Sequence, residues 1–281
     1  MPSDSAAASP LQEQPSPIES PQSGCKGKGA SFGVVLLWTA VGVSVGIAAA
    51  WPMGWASTFF RAGPLPQELM RRMPADPFAS LPPEVFAEIV AHQRVALLRN
   101  TALAFGICGA MSLTAFGLLY SLSLRSWHRV FRALAGCPVV GAVGGALGGA
   151  LAVMLESRLR NSGVSDPVVW MGLSLAVAWA APAVGCGILA AWVTWDRRVL
   201  CSAARAAVAA ELIAAVLFVP TAMILFPLER LDRLILPSFA LRAYGVSLAT
   251  GLLALALGRS LVRHKRVHGP FDCLKSNARC R

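Results

Sequence analysis

Residues 167–195 read PVVWMGLSLAVAWAAPAVGCGILAAWVTW, a stretch without one charged side chain. A helix crosses a bilayer core of about 30 Å with roughly 20 apolar residues, so this run is long enough to span with tilt. It has no two-residue alternation of apolar and polar positions, which excludes a membrane β-barrel strand. Pro182 lies near its middle, where it removes one helical hydrogen bond and crowds the preceding turn, and so predicts a kink.

Five further runs of the same kind follow from the same reading: Phe32–Trp55, Thr101–Leu122, Ala133–Leu155, Ala206–Phe226 and Ile235–Leu257. Lipid offers no hydrogen bonds to an exposed backbone, so such runs must be helices. The sequence therefore predicts an all-α, polytopic integral membrane protein with six spans in one bundle. Composition agrees. The chain is 56% hydrophobic and 14% charged, with a mean hydropathy of +0.59; soluble domains carry about 25% charged residues.

The expected organisation is a disordered tail over 1–31, a transmembrane domain over 32–258 and a basic tail over 259–281. The first tail is rich in Ser, Pro, Gln and Ala and has almost nothing to bury. Lys26 and Lys28, the apolar run and Ala48–Ala50 have the layout of a signal peptide, but the run begins some thirty residues in. An uncleaved first span is the expectation.

Orientation follows from Lys and Arg. With the N-terminus inside, fifteen basic residues fall in inside segments and nine outside, with Arg242 within a span. This predicts cytoplasmic N- and C-termini in a plasma or inner membrane. Trp51, Trp55 and Trp170 then line the outer interface, and Trp127, Trp192 and Trp195 the inner one. The seven cysteines fall in spans or on the cytoplasmic side, as expected of a chain without disulfides.

The outside loop over 56–100 is Pro-rich in its first half. From Glu84 the pattern becomes helical: Phe86, Ile89, Val90 and Leu97 share one face, while Glu84, Glu88 and His92 follow four apart on another. An amphipathic extramembrane helix is expected before the second span, either lying on the membrane surface or running directly into that span. Its faces could dock a partner or pack against the loop.

Three features bear on function. Gly141, Gly144, Gly145, Gly148 and Gly149 fall on one side of the third span, within an arc of about 140° at 100° per residue. Glycine costs about 1 kcal/mol against Ala in a helix, so the cluster needs a reason. In lipid that reason is close backbone approach: a packing centre within the bundle, a seam with a second copy or a membrane partner, or a glycine-lined path. Val143 and Met154 lie opposite.

Glu211 is the one acidic residue well inside a span. A charge there costs a few kcal/mol, which makes it a candidate ion or proton site. Depth argues against pairing with Arg242, which should instead reach outward toward Glu156, Glu229 or Asp232. Glu211 is then either a neutral acid or a side chain reaching the inner interface near Arg205. Third, Arg263, Lys265 and Arg266 in the last tail suit anionic lipid headgroups rather than nucleic acid, since no reading module or interleaved aromatics accompany them.

No cofactor or metal site is expected. His264 and His268 stand four apart but lack a third ligand and flank Lys265 and Arg266, so a basic helical extension accounts for them. No paired intramembrane Asp, His-Glu-x-x-His or Gly-x-Ser-x-Gly occurs. The leading expectation is a non-enzymatic structural or accessory membrane component packed through the glycine face, a glycine zipper. The alternative is a small-solute or ion transporter using Glu211.

Overall fold

The structure, a computed structural model, describes residues 27–73, 82–123, 127–162, 166–194, 197–229 and 234–267. Among these, seven helices carry the fold: α1 Gly27–Ala56, α2 Gln67–Arg71, α3 Pro83–Ser123, α4 Trp127–Asn161, α5 Pro167–Thr194, α6 Arg197–Leu225 and α7 Phe239–Val267. There is no strand among the described residues. All but the short α2 are long and apolar enough to cross a membrane. Their outward faces carry Leu36, Leu37, Ile47, Leu151, Val216 and Ile224, all exposed. A water-soluble monomer rarely exposes apolar patches beyond a few hundred Å². This is an integral membrane protein with a six-helix bundle.

The helices pack in sequence order into a ring: α1 on α3, α3 on α4, α4 on α5, α5 on α6, α6 on α7, and α7 back on α1, with α3 also touching α5 across the middle. Local chemistry sets the ends. Asp166 Oδ1 accepts from Val168 N at 2.8 Å, with Pro167 in the first helical position of α5. Ser238 Oγ accepts from Leu241 N at 3.2 Å and starts α7. The sixth expected span, Ile235–Leu257, therefore loses its first residues to the connecting segment, because Pro237 and this cap place the helix start later. Helix α5 continues through Pro182.

The amphipathic stretch before the second span is the first part of α3 itself, which runs unbroken into the bundle. Its polar row holds the preceding loop. Glu88 accepts from Arg72 at 2.9 Å, and His92 Nε2 is 3.0 Å from the Gly63 carbonyl. Asn100, buried, accepts from Phe60 N at 2.7 Å and donates to Phe60 O at 2.9 Å. Asn100 stands eight residues beyond His92, with Ala96 between, and the chain's own loop bonds all three polar side chains.

A second seam joins α1 to α7. A methyl group placed on Gly42 would stand 2.5 Å from the Thr250 carbonyl, and one on Gly46 2.5 Å from Ser247 Cα. Across this contact Ser247 donates to Val43 O at 3.2 Å. Thr250 Oγ1 lies 2.7 Å from both Gly42 O and Val246 O, its single hydrogen serving either. Small residues allow the approach, and hydroxyls then bond across it.

Candidate functional site

Helix α6 has two faces. Ala203, Ala207, Ala210, Ala214, Phe218 and Ala222 are buried, while Leu212, Ile213, Val216, Met223 and Ile224 are exposed. Glu211 lies on the buried alanine face and is 3% exposed. Short neighbours leave room for the carboxyl group, which lines a cavity of about 30 Å³ at the centre of the ring. Cys108 and Ser112 from α3, Trp179 and Pro182 from α5, and Val246 and Thr250 from α7 form the other walls.

Two polar atoms in this cavity make no hydrogen bond: Glu211 Oε2 and Ser112 Oγ. Buried polar atoms almost always find partners, so two orphans facing one void are unusual. The void has room for a water molecule, which needs about 10–15 Å³ of such space. The thiol of Cys108 lies beside Ser112. Among the described residues, no group of three His, Cys, Asp or Glu side chains is placed to hold a metal.

Neither Glu211 nor Arg242 forms an ion pair among the described residues. Arg205 is exposed and forms no ion pair with Glu211. Arg242 pairs with neither Glu156 nor Glu229, and Asp232 lies outside the described residues. The Arg242 side chain donates from Nε to Ala50 O at 3.2 Å, and from Nη1 to Leu236 O and Pro237 O, each at 2.8 Å. Gly54 makes space for it, since a methyl group there would lie 2.8 Å from Cζ. The guanidinium thus ties α1, about one turn and a half before its end, to the two residues that lead into α7, entirely through backbone carbonyls.

The five glycines of α4 divide into two columns. Gly141, Gly145 and Gly149 face α3: a methyl group on the first two would collide with the carbonyl oxygens of Gly109 and Phe105, and one on Gly149 would lie 2.8 Å from Thr101 O. Gly144 and Gly148 face α5. A methyl group on Gly148 would stand 2.7 Å from the Ala178 carbonyl, whose helical donor Pro182 cannot supply. On Gly144 the nearest atoms are 3.5 Å away, an ordinary contact. Val143 and Met154 on the opposite side are exposed.

The backbone of α7 reaches Val267, so a helical extension carries Arg263, Lys265 and Arg266. Their side chains, together with those of His264, Trp192, Trp195 and Cys201, lie outside the described residues, as do Cys25, His268, Cys273, Cys280 and the tails over 1–26 and 268–281. Sequence reasoning missed Ser112 as a companion of Glu211. The available signal was Cys108 and Ser112 four apart on one face of an apolar helix. Compared with protein-family models, curated proteins and solved structures, the chain has no match.

Proposed function

We propose that this protein is a transporter, not an enzyme, and that Glu211 is its proton-exchanging site. The observation that carries the reading is the unpartnered Glu211 Oε2 facing a central cavity shared by α3, α5, α6 and α7. An ionisable side chain costs a few kcal/mol at that depth, and such residues face bundle interiors where they serve ion or proton paths. A proton fits better than a metal cation. Hard cations take six or more oxygens, and the cavity offers one carboxyl and the Ser112 hydroxyl as unengaged groups. The accessory reading drew on the glycine face, but α3 and α5 occupy both of its columns, so that face lends no support to a second copy or a membrane partner.

In liposomes holding a pH-sensitive dye, the purified protein should dissipate or couple to an imposed proton gradient, and Glu211→Gln should reduce that flux to the level of empty vesicles. Equal flux by wild type and variant would remove Glu211 from the mechanism.

The proposed setting is a plasma or inner membrane with both termini cytoplasmic, Arg263, Lys265 and Arg266 meeting anionic headgroups. An impermeant thiol reagent applied to intact cells should then leave all seven cysteines unlabelled, whereas a cysteine introduced at Ser57 should react. Labelling of Cys273 or Cys280 in sealed cells would reverse the orientation.

A further inference from the structure

A crevice of about 680 Å³ opens at the end of the bundle that carries the 57–100 loop. That volume lies within the range typical of small-molecule sites, about 300–1,000 Å³. Val90, Leu97, Val153 and Leu236 give the crevice lining an apolar part, and Arg94, Arg160 and Arg242, interspersed among them, bring three cations. Against them stands Glu156, which Arg160 engages at 2.8 Å. Arg94 donates from Nη2 to Ser157 Oγ at 2.6 Å, and Arg242 donates to the three backbone carbonyls already described. Neither has a carboxylate within ion-pair distance among the described residues.

Two guanidinium charges without an acidic partner among the described residues, set beside apolar side chains, concentrate positive potential in one crevice. Arg94 is the better placed for recognition. A guanidinium has five N–H donors in a planar fork matched to carboxylate or phosphate, and the bond to Ser157 uses one. Arg242 is committed to carbonyls and contributes mainly its charge. The apolar part of the lining cannot be matched by a small hydrated anion.

We infer that this crevice binds an anionic amphiphile, an apolar body bearing one phosphate or carboxylate, with Arg94 contacting the anionic group. Two sources present that chemistry: an anionic phospholipid of the bilayer and a free fatty-acid-like carboxylate. The inference is independent of Glu211 and of transport.

The test uses the purified full-length chain in a nonionic detergent, with Arg259, Arg263, Lys265, Arg266, Lys275, Arg279 and Arg281 changed to Gln so that the basic tail adds no anion binding. Native mass spectrometry and titration calorimetry follow dioleoyl phosphatidylglycerol, dioleoyl phosphatidylcholine and oleate. Phosphatidylglycerol or oleate should bind at one equivalent. Arg94→Gln should weaken that binding about tenfold without changing the melting temperature, and Glu211→Gln should leave it unchanged. Binding of phosphatidylglycerol alone identifies a lipid site; binding of oleate, competing with the lipid, identifies a free amphiphile. Phosphatidylcholine bound as tightly as phosphatidylglycerol, no binding of either anion, or wild-type affinity in Arg94→Gln overturns the assignment. Arg242→Gln is a poorer probe because it also unties α1 from α7.

Discussion

Gly145→Leu should abolish or nearly abolish recovery of folded protein from detergent. The side chain would enter a place already filled by the Phe105 carbonyl and Gly106 Cα of α3. Backbone atoms of a helix cannot rotate aside as a side chain can, so α3 and α4 must separate along their length. Overpacking a core costs about 1–3 kcal/mol when side chains can adjust, and more when they cannot. In lipid, close van der Waals packing is what holds helices together, and no hydrophobic transfer opposes their parting once that packing is broken.

Two companions isolate the cause. Val143→Leu on the exposed side should be nearly silent. Gly144→Ala should be neutral or slightly stabilising, because its new methyl meets atoms at 3.5 Å and Ala gains about 1 kcal/mol in a helix. Folded yield and thermal unfolding by size-exclusion chromatography read all three. Equal tolerance of Gly145→Leu and Val143→Leu would mean that α3 and α4 do not meet as described.

The contrast within one glycine cluster marks where sequence reading stops. Helical periodicity places all five glycines on one side of α4, and that much is legible because 100° per residue is a property of the helix alone. Which neighbour each column meets depends on how α4 is rotated between α3 and α5, which periodicity does not contain. The six spans were legible for a stronger reason: the solvent imposes them, as lipid tolerates only long apolar helices.

Arg242 was legible as an outlier in its span, but its partners were not. Carboxylates are visible in a sequence, whereas the carbonyls of Ala50, Leu236 and Pro237 belong to every residue type and leave no signature. The α1–α7 seam did have one, in Gly42 and Gly46 four apart opposite Ser247 and Thr250. It was overshadowed by the denser cluster in α4. Asn100 stands eight residues beyond the row visible at Glu88 and His92, and only the return of the loop to Phe60 gave that position its role.

Glu211→Gln should eliminate proton-coupled flux while leaving the melting temperature equal or higher. The amide keeps the shape and most of the hydrogen-bonding capacity of the acid but cannot take up or release a proton. It is also cheaper in an apolar interior than a carboxylate. Loss of activity with gain in stability is expected where a site is held in an unfavourable environment for function. A residue of purely structural use leaves flux unchanged or absent in both proteins, with stability again equal or higher, so it is flux that distinguishes the two roles.

Infrared difference spectra across a pH range spanning neutrality separate the two directly. A working Glu211 should show a protonated-carboxyl band that disappears as pH rises, and Glu211→Gln should lack it. Ser112→Ala removes the other unpartnered group of the cavity, so it should shift that band in frequency without abolishing it, because the polarity of the space around the acid falls. A band that stays constant at every pH, together with unchanged flux in Glu211→Gln, would leave this carboxyl group as an inert neutral acid sealed inside the bundle.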